Sequence, residues 1–326
     1  MAEYGWGLSE ELISKAESEL NERPGQTAEA IEAVREQIET RPDIKFLRTD
    51  DAFILRFLRA RKFDTFEAFK LFGRYFEYRQ NHPTIFKDFT AAEKGINEAL
   101  FDGMPAVLEK SDHFGRRIIV LYSANWDVLK YGLATIYRSI LLTLEKLIDS
   151  DESQINGFVI IVDWSQFTFR QSTWLNPKIL KLMIEGLQDC FPARFSAVHF
   201  VNQPWYIEAV FKMVKPFLKE KTKNKIRFHG INLGTLHEEI HKEVLPAELG
   251  GHMPPYNNQY WARELTGDAN FTFSDKHIYW PNLSQLKSRS KSFPADFYSS
   301  SKSTEDTLQK EDDRNTYLDE EFFLIE

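Results

Sequence analysis

The sequence predicts an α/β fold, a helical N-terminal part followed by a largely parallel sheet with helices between its strands. Three observations predict it. Up to about residue 98 the apolar residues recur at helical spacing, as in Phe53, Ile54, Phe57 and Leu58. Further on, unbroken apolar runs such as 157–162 lack the alternation of a half-exposed strand, as expected where both sheet faces are covered. Amphipathic stretches separate those runs, and strand–helix alternation implies parallel pairing.

Taken in order, Ser9 is placed to cap a helix over 10–21 and Thr27 one over 28–40, which Arg41-Pro42 ends. Thr49-Asp50-Asp51 opens the next helix, and Asp64 or Thr65 starts a longer one over 66–80 that stops near His82-Pro83. Strands over 106–109 and 117–122 flank a turn at 112–115. Leu133, Ile136, Tyr137, Ile140, Leu141, Leu144, Leu147 and Ile148 mark a strongly amphipathic helix. Then come strand 157–162, helix 177–187, strand 197–201, helix 205–219, strand 225–229 and a helix over 235–242. The chain divides into a helical domain over 1–98, an α/β domain over 99–265 and a C-terminal extension over 266–326. From about Lys287 that extension turns Ser-rich and then acidic, a composition expected to be disordered.

Composition narrows the function. With 42% apolar and 28% charged residues over 326 positions, the chain reads as soluble and globular. Its 27 phenylalanines suit broad apolar walls. Cys190 is the single cysteine, so no disulfide framework or Cys-based zinc site is expected, and a reducing compartment fits. The acidic N-terminus lacks the basic and apolar regions of a signal peptide. No apolar run approaches the roughly 20 residues of a membrane span, so membrane contact is expected to be peripheral.

Catalytic patterns do not emerge. Asp163, Ser165 and His199 can be assembled on paper into a hydrolase triad, but no GxSxG elbow accompanies them. Asp163, at the end of a buried strand, is expected to satisfy loop amides. The eight histidines show no HExxH or other zinc-like spacing, so no metal is expected. Neither a Walker loop nor GxGxxG is present, so no nucleotide cofactor is expected. The compact basic patch on an acidic chain, with no aromatic stacking motif beside it, disfavours nucleic acid.

That patch follows the helix over 205–219. Ile207, Val210, Phe211, Val214, Phe217 and Leu218 make one apolar face, and Lys212, Lys215 and Lys219 another. Lys221, Lys223, Lys225 and Arg227 then alternate with mostly neutral residues into a short β-like run. Between Lys212 and Arg227 seven cations stand against one acid, Glu220, in a chain of net charge −8. Two readings fit: a surface that meets acyl chains and anionic headgroups together, or a core helix with a solvated edge. Pro216 removes a helix hydrogen bond and weakens the last turn, which suits a moving element.

Several segments together resemble one family. Phe53-Ile-Leu-Arg-Phe-Leu-Arg-Ala-Arg-Lys-Phe63 resembles the N-terminal signature of CRAL-TRIO, or Sec14-like, lipid-binding proteins. Asn156-Gly-Phe-Val-Ile-Ile-Val-Asp-Trp164, Phe191-Pro192-Ala-Arg, Val198-His-Phe-Val-Asn-Gln-Pro204, Lys215-Pro-Phe-Leu218 and Leu245-Pro-Ala-Glu-Leu-Gly-Gly251 resemble successive motifs of the lipid-binding domain, in order across 8–265. Within the family, 41–53, 185–194 and 201–207 look like the clavesin subfamily; retinaldehyde-binding and tocopherol-transfer relatives fit these three stretches less well. His229-Gly-Ile-Asn232 departs from the family, where a second Asn is common in place of Ile231.

The resemblance implies a Sec14-like domain with a hydrophobic cavity, gated by the helix over 205–219. It implies gate and cavity residues Val210, Phe211, Val214 and Phe217, with Ile140, Leu144, Ile160 and Val162 as candidate walls. For the headgroup of a phosphoinositide, phosphatidylinositol 3,5-bisphosphate in the clavesin subfamily, the matching positions are Arg61, Arg194, Lys221 and Lys225, with Lys215, Lys219, Lys223 and Arg227 alongside. Arg56, Arg59 and Arg61 have a second reading, as ties between the two domains through carboxylates such as Asp50 or Asp51. The expected role is non-catalytic lipid binding in the cytoplasm, peripheral on endosomal, lysosomal, trans-Golgi and clathrin-coated vesicle membranes. The alternatives are a carrier of a retinoid or another small hydrophobic ligand, and a scaffold for a protein partner. In the tail, Phe322, Phe323, Leu324, Ile325 and Glu326 resemble a clathrin box that begins with Phe instead of Leu, so clathrin or its adaptors are expected partners. Arg289-Ser-Lys-Ser-Phe-Pro294 matches a basic phosphoserine motif centred on Ser292.

Overall fold

Six helices precede the first strand in the computed structural model, which describes residues 7–266. They are α1 (Glu10–Leu20), α2 (Thr27–Glu36), α3 (Asp51–Ala60), α4 (Thr65–Asn81), α5 (Pro83–Phe86) and α6 (Lys94–Phe101). Their starts follow local side-chain chemistry. Ser9, Asp50, Asp64 and Glu93 each accept a backbone N–H of the first turn, offsetting donors that a helix N-terminus leaves unpaired. Thr27 does not cap as expected. A 3₁₀ turn, Pro24–Gln26, feeds straight into α2, so Thr27 is already helical and its hydroxyl donates to the Arg23 carbonyl at 3.1 Å.

The remaining elements are β1 (Ala106–Val107), β2 (Arg117–Tyr122), α7 (Leu133–Leu147), α8 (Asp151–Asn156), β3 (Phe158–Asp163), α9 (Phe169–Ser172), α10 (Pro177–Glu185), β4 (Phe195–Val201), α11 (Trp205–Val214), α12 (Glu220–Lys223), β5 (Ile226–Gly230), α13 (Leu233–Glu239) and α14 (Gln259–Thr266). The five strands lie in sequence order, β1 antiparallel to β2 and the others parallel. Parallel crossovers share one hand, so sequence-order pairing puts α7–α8, α9–α10 and α11–α12 over the same face. On that face Ile119, Phe158, Ile160 and Phe200 meet α7 and the N-terminal helices. On the other, Ile118, Val120, Val159, Ile161 and Val201 are covered by Leu236, Ile240, Leu245 and Leu249 of the returning chain. Both faces are covered, as the unbroken apolar runs require, but only one by crossover helices.

Buried and half-buried arginines link the helical part to the rest. Arg59, 0% exposed, takes both oxygens of Glu22 at 2.8 Å, Gln154 at 2.8 Å and Asp151 of α8. Arg56 pairs with Asp149 at 2.6 Å. Arg79 of α4 pairs with Glu145 of α7, which also accepts from Tyr75 Oη at 2.8 Å. Arg194, just before β4, pairs with Glu19 of α1 at 3.3 Å. The interdomain reading of Arg56 and Arg59 therefore holds with different partners, because Asp50 and Asp51 serve Arg48 and Arg35. Burial pushes the Glu145 carboxyl upward, against the pull of Arg79 and Arg56. Removing that carboxylate strands a buried guanidinium, so Glu145→Ala should cost roughly 3–5 kcal/mol in urea unfolding. A loss under about 1 kcal/mol would mean the pair behaves like an exposed one.

Candidate functional site

Helix α11 leaves β4 through Asn202, in the left-handed region at φ 54°, and starts after Pro204. It ends at Val214, where Lys215–Phe217 tighten into a 3₁₀ turn around Pro216. The expected continuation to Lys219 is cut short because proline cannot supply the next ladder donor. Only Ile207 and Val214 of this helix are buried. Trp205, Met213 and Phe217 are 71%, 45% and 41% exposed, an apolar surface open to solvent. Inward, Phe211 sits edge-on to Phe228 of β5 at 4.9 Å, and Phe228 edge-on to Phe200 of β4 at 5.1 Å. Tyr206 hydrogen-bonds the Phe167 carbonyl.

The surfaces beneath α11 are apolar and incompletely packed. Leu121, Ile160, Phe195 and Phe200 on the sheet, Ile179, Leu180, Leu182 and Met183 on α10, and Val210 on α11 all face the core yet stay only half buried. These side chains keep apolar area that the core does not cover. Ile160 is among them, and Val162, on the same face of β3, is just buried. Ile140 and Leu144 are sealed in the core at 4% and 0% exposure.

The eight candidate cations do not form one patch. Lys221 and Lys223 lie on the helical turn α12, just before the expected strand, which forms as β5. Glu220 and Lys223 pair at 2.7 Å across that turn. Lys225 donates to the Phe195 carbonyl. Burial lowers the pKa of its ammonium, and repulsion from Lys221 and Arg194 lowers it further, so these three cations are electrostatic neighbours. They gather at the N-terminal ends of β4 and β5. Arg194 also binds the Ile155 carbonyl, so two of the three are partly committed to structure.

Arg61 and Lys219 belong to a second group around Asp189. Lys219 pairs with Asp189, and burial lowers the Arg61 pKa against the pull of Glu67 and Asp189 and with the push of Arg74. Lys215 is exposed, near enough to Glu220 to help lower its pKa. Arg227 leans on Glu239 at 3.6 Å, on the reverse side of the sheet.

Sequence reasoning missed the feature that pins the segment following α11. Helix α10 runs into a π-helical turn, Gly186–Cys190. Only glycine fits at its start, because a Cβ on Gly186 would fall 1.8 Å from the Tyr137 hydroxyl. The turn presents Gln188, whose Oε1 accepts from the Lys219 backbone N–H at 2.8 Å and the Thr222 hydroxyl at 2.7 Å, while Asp189 takes the Lys219 ammonium. A polar cleft of about 290 Å³ adjoins it, lined by Arg74, Glu77, Glu185 and Asp189 among others. No periodicity marks Gln188 or Asp189 in the sequence.

The paper triad does not assemble. Asp163 accepts from Ser165 N–H (3.0 Å), Ser165 Oγ (2.7 Å) and Asn202 Nδ2 (2.9 Å), the loop role expected for it, while His199 pairs with His229. The clathrin-box-like residues 322–326, Ser292 and the expected disorder from 287 lie outside the described residues.

Residues 101–251 match the CRAL/TRIO domain model, and residues 6–73 match that of the CRAL/TRIO N-terminal domain. The chain is 58% identical to human (Homo sapiens) clavesin-2 over 259 residues, 79% of each chain. It is 56% identical to clavesin-1 of Xenopus laevis over 273 residues, 84% of this chain and 81% of that one. Among solved structures, that of Sfh5 aligns at 15% identity with a TM-score of 0.44, covering 86% of this chain and 97% of that one.

The clasp at the π turn carries its own prediction. A Gln188→Ala/Asp189→Ala variant should keep its fold by circular dichroism, yet be cut by trypsin several-fold faster at Lys219, Lys221 and Lys223. An unchanged digestion rate would show that these bonds do not hold the gate segment down.

Proposed function

This chain belongs to the CRAL/TRIO lipid-binding family, and we propose that it acts as a non-catalytic, clavesin-type phosphoinositide-binding protein. The observation that carries this reading is adjacency. One short stretch presents exposed apolar side chains, Trp205 and Met213 of α11 and Phe217 just after it, followed within a few residues by Lys221 and Lys225, with Arg194 as their electrostatic neighbour. Anionic headgroups and acyl chains are met together at a membrane surface, and each basic side chain there contributes roughly 1 kcal/mol. The headgroup proposed is the 3,5-bisphosphate, by likeness to the clavesin subfamily. Its two phosphomonoesters favour a site of several cations, with lysines as point charges and Arg194 offering a planar fork.

Docking on such a surface would bring α11 to the bilayer. There its outer face is at home and opening onto the half-buried apolar space beneath costs little. A phosphate drawing Lys219 away from Asp189 would loosen the clasp at the same moment. Among the described residues no helix is long and apolar enough to cross a membrane, in keeping with peripheral attachment. Endosomal, lysosomal, trans-Golgi and clathrin-coated membranes are the proposed sites of action, with clathrin or adaptor contact through residues 322–326. The half-buried apolar walls support a second reading, in which a retinoid or similar small hydrophobic cargo is the main ligand and the cations only assist unloading.

Two experiments test these readings. In liposome co-sedimentation, Lys221→Glu/Lys225→Glu should weaken binding to phosphatidylinositol 3,5-bisphosphate vesicles by at least about thirtyfold, the loss of two surface charges. Equal binding of wild type and variant would sink the headgroup assignment. Equal wild-type binding to every anionic lipid would reduce the patch to a general docking surface. Trp205→Glu/Met213→Glu should lower binding to the same vesicles while leaving capture of the soluble inositol headgroup unchanged. A stoichiometric retinoid in organic extracts of the purified protein would favour the carrier reading.

A further inference from the structure

Away from the gate, on the reverse face of the sheet, three metal-ligating side chains converge from three elements. They are His199 of β4, 1% exposed, His229 of β5, and Glu239 in the last turn of α13. One ligand atom of each lies within 4.8 Å of the other two. His199 Nδ1 and His229 Nε2 are 2.9 Å apart. Neighbouring oxygens set the tautomer of His229. The Thr235 hydroxyl donates to the Asn232 carbonyl at 2.9 Å, so at 2.7 Å it accepts from His229 Nδ1–H, and Nε2 keeps its lone pair. An imidazole held by one nitrogen and offering the other inward is how metal-binding histidines are oriented.

We propose that His199, His229 and Glu239 form a binding site for a divalent transition ion of the Zn²⁺ class. Two imidazole nitrogens and one carboxylate oxygen suit Zn²⁺ and fall short of the oxygen cages that Ca²⁺ and Mg²⁺ require. Tetrahedral ligands about 2.0–2.1 Å from an ion stand roughly 3.3 Å apart, so the two nitrogens must separate by only a few tenths of an ångström. His199, which donates from Nδ1 in the ion-free pair, takes the Nε2–H tautomer on binding. Water fills the fourth position.

Glu239 is free to turn. Its rival partner, Arg227, stands off at 3.6 Å and retains the Asn224 carbonyl at 2.6 Å when the carboxylate leaves. The ion would tie β4, β5 and α13 together behind Phe228, the ring on which Phe211 of the gate rests. Spacing alone does not disclose this site, because its ligands are brought together only by parallel pairing and the return of α13.

The test uses the full chain, stripped with chelator and titrated with Zn²⁺ by calorimetry and with Co²⁺ by visible absorption. The expected result is one ion per chain, a tetrahedral Co²⁺ spectrum, and affinity at least about tenfold weaker in Glu239→Gln, lost in His229→Ala and raised in Arg227→Ala. Should His229→Ala fail to fold, the two surface variants carry the test. No stoichiometric uptake by the wild type, or equal uptake by all variants, overturns the site. So does uptake that survives in these variants and disappears in His113→Ala/His241→Ala, which would move the ion to that stacked pair, 4.4 Å between ring centres.

Discussion

Strand pairing in sequence order is the constraint on which the rest of the molecule depends. Each parallel step from β2 to β5 must cross with the same hand, so every crossover helix lands on one face. That face becomes deep enough to hold α7 with the N-terminal helices at one end and the looser α10 and α11 at the other. The opposite face is left bare by the crossovers and is closed by α13 and the turns after it. A lipid-binding protein needs an apolar interior that is open on demand. Here one layer holds a tightly buried half, at α7 and the N-terminal helices, beside a less buried half at α10 and α11.

Charge is distributed with the same economy. Buried arginines on α3 and α4 take carboxylates from α7, α8 and the loop after α1, where low dielectric makes an unpaired charge expensive. The cations beyond the gate have weaker commitments. Lys219 is held by Asp189 and Lys223 by Glu220, both at the surface, while Lys221 is exposed. Surface pairs of this kind contribute little stability and are readily exchanged for another anion. Two classes of cation therefore sit in one chain, and their partners, more than their identity, tell them apart.

Much of this was legible from residue order. Unbroken apolar runs located β3 and β4, caps at Ser9, Asp50 and Asp64 located helix starts, and the family motifs fixed the order of elements. Three things were hidden, each for a physical reason. The helical turn over 220–223 is too short to carry an apolar period, so nothing in the sequence separates it from the run that leads into β5. The roles of Arg56, Arg59 and Arg61 diverge because successive helical positions face different neighbours, and only the fold decides which arginine meets Asp149, Asp151 or neither. Gln188 and Asp189 gain their partners from a π turn, a backbone irregularity with no hydrophobic period to announce it.

The position of β5 has one more consequence. Among the described residues it is the last strand of the sheet, bonded to β4 on one side. Such an edge invites a strand from another molecule, and the exposed Phe228 and Ile231 would strengthen that contact. Lys225 and Arg227 flank Ile226 along this edge, and a second copy docking in register would have to desolvate both charges. Charge placed beside an apolar border thus works against self-association at that edge.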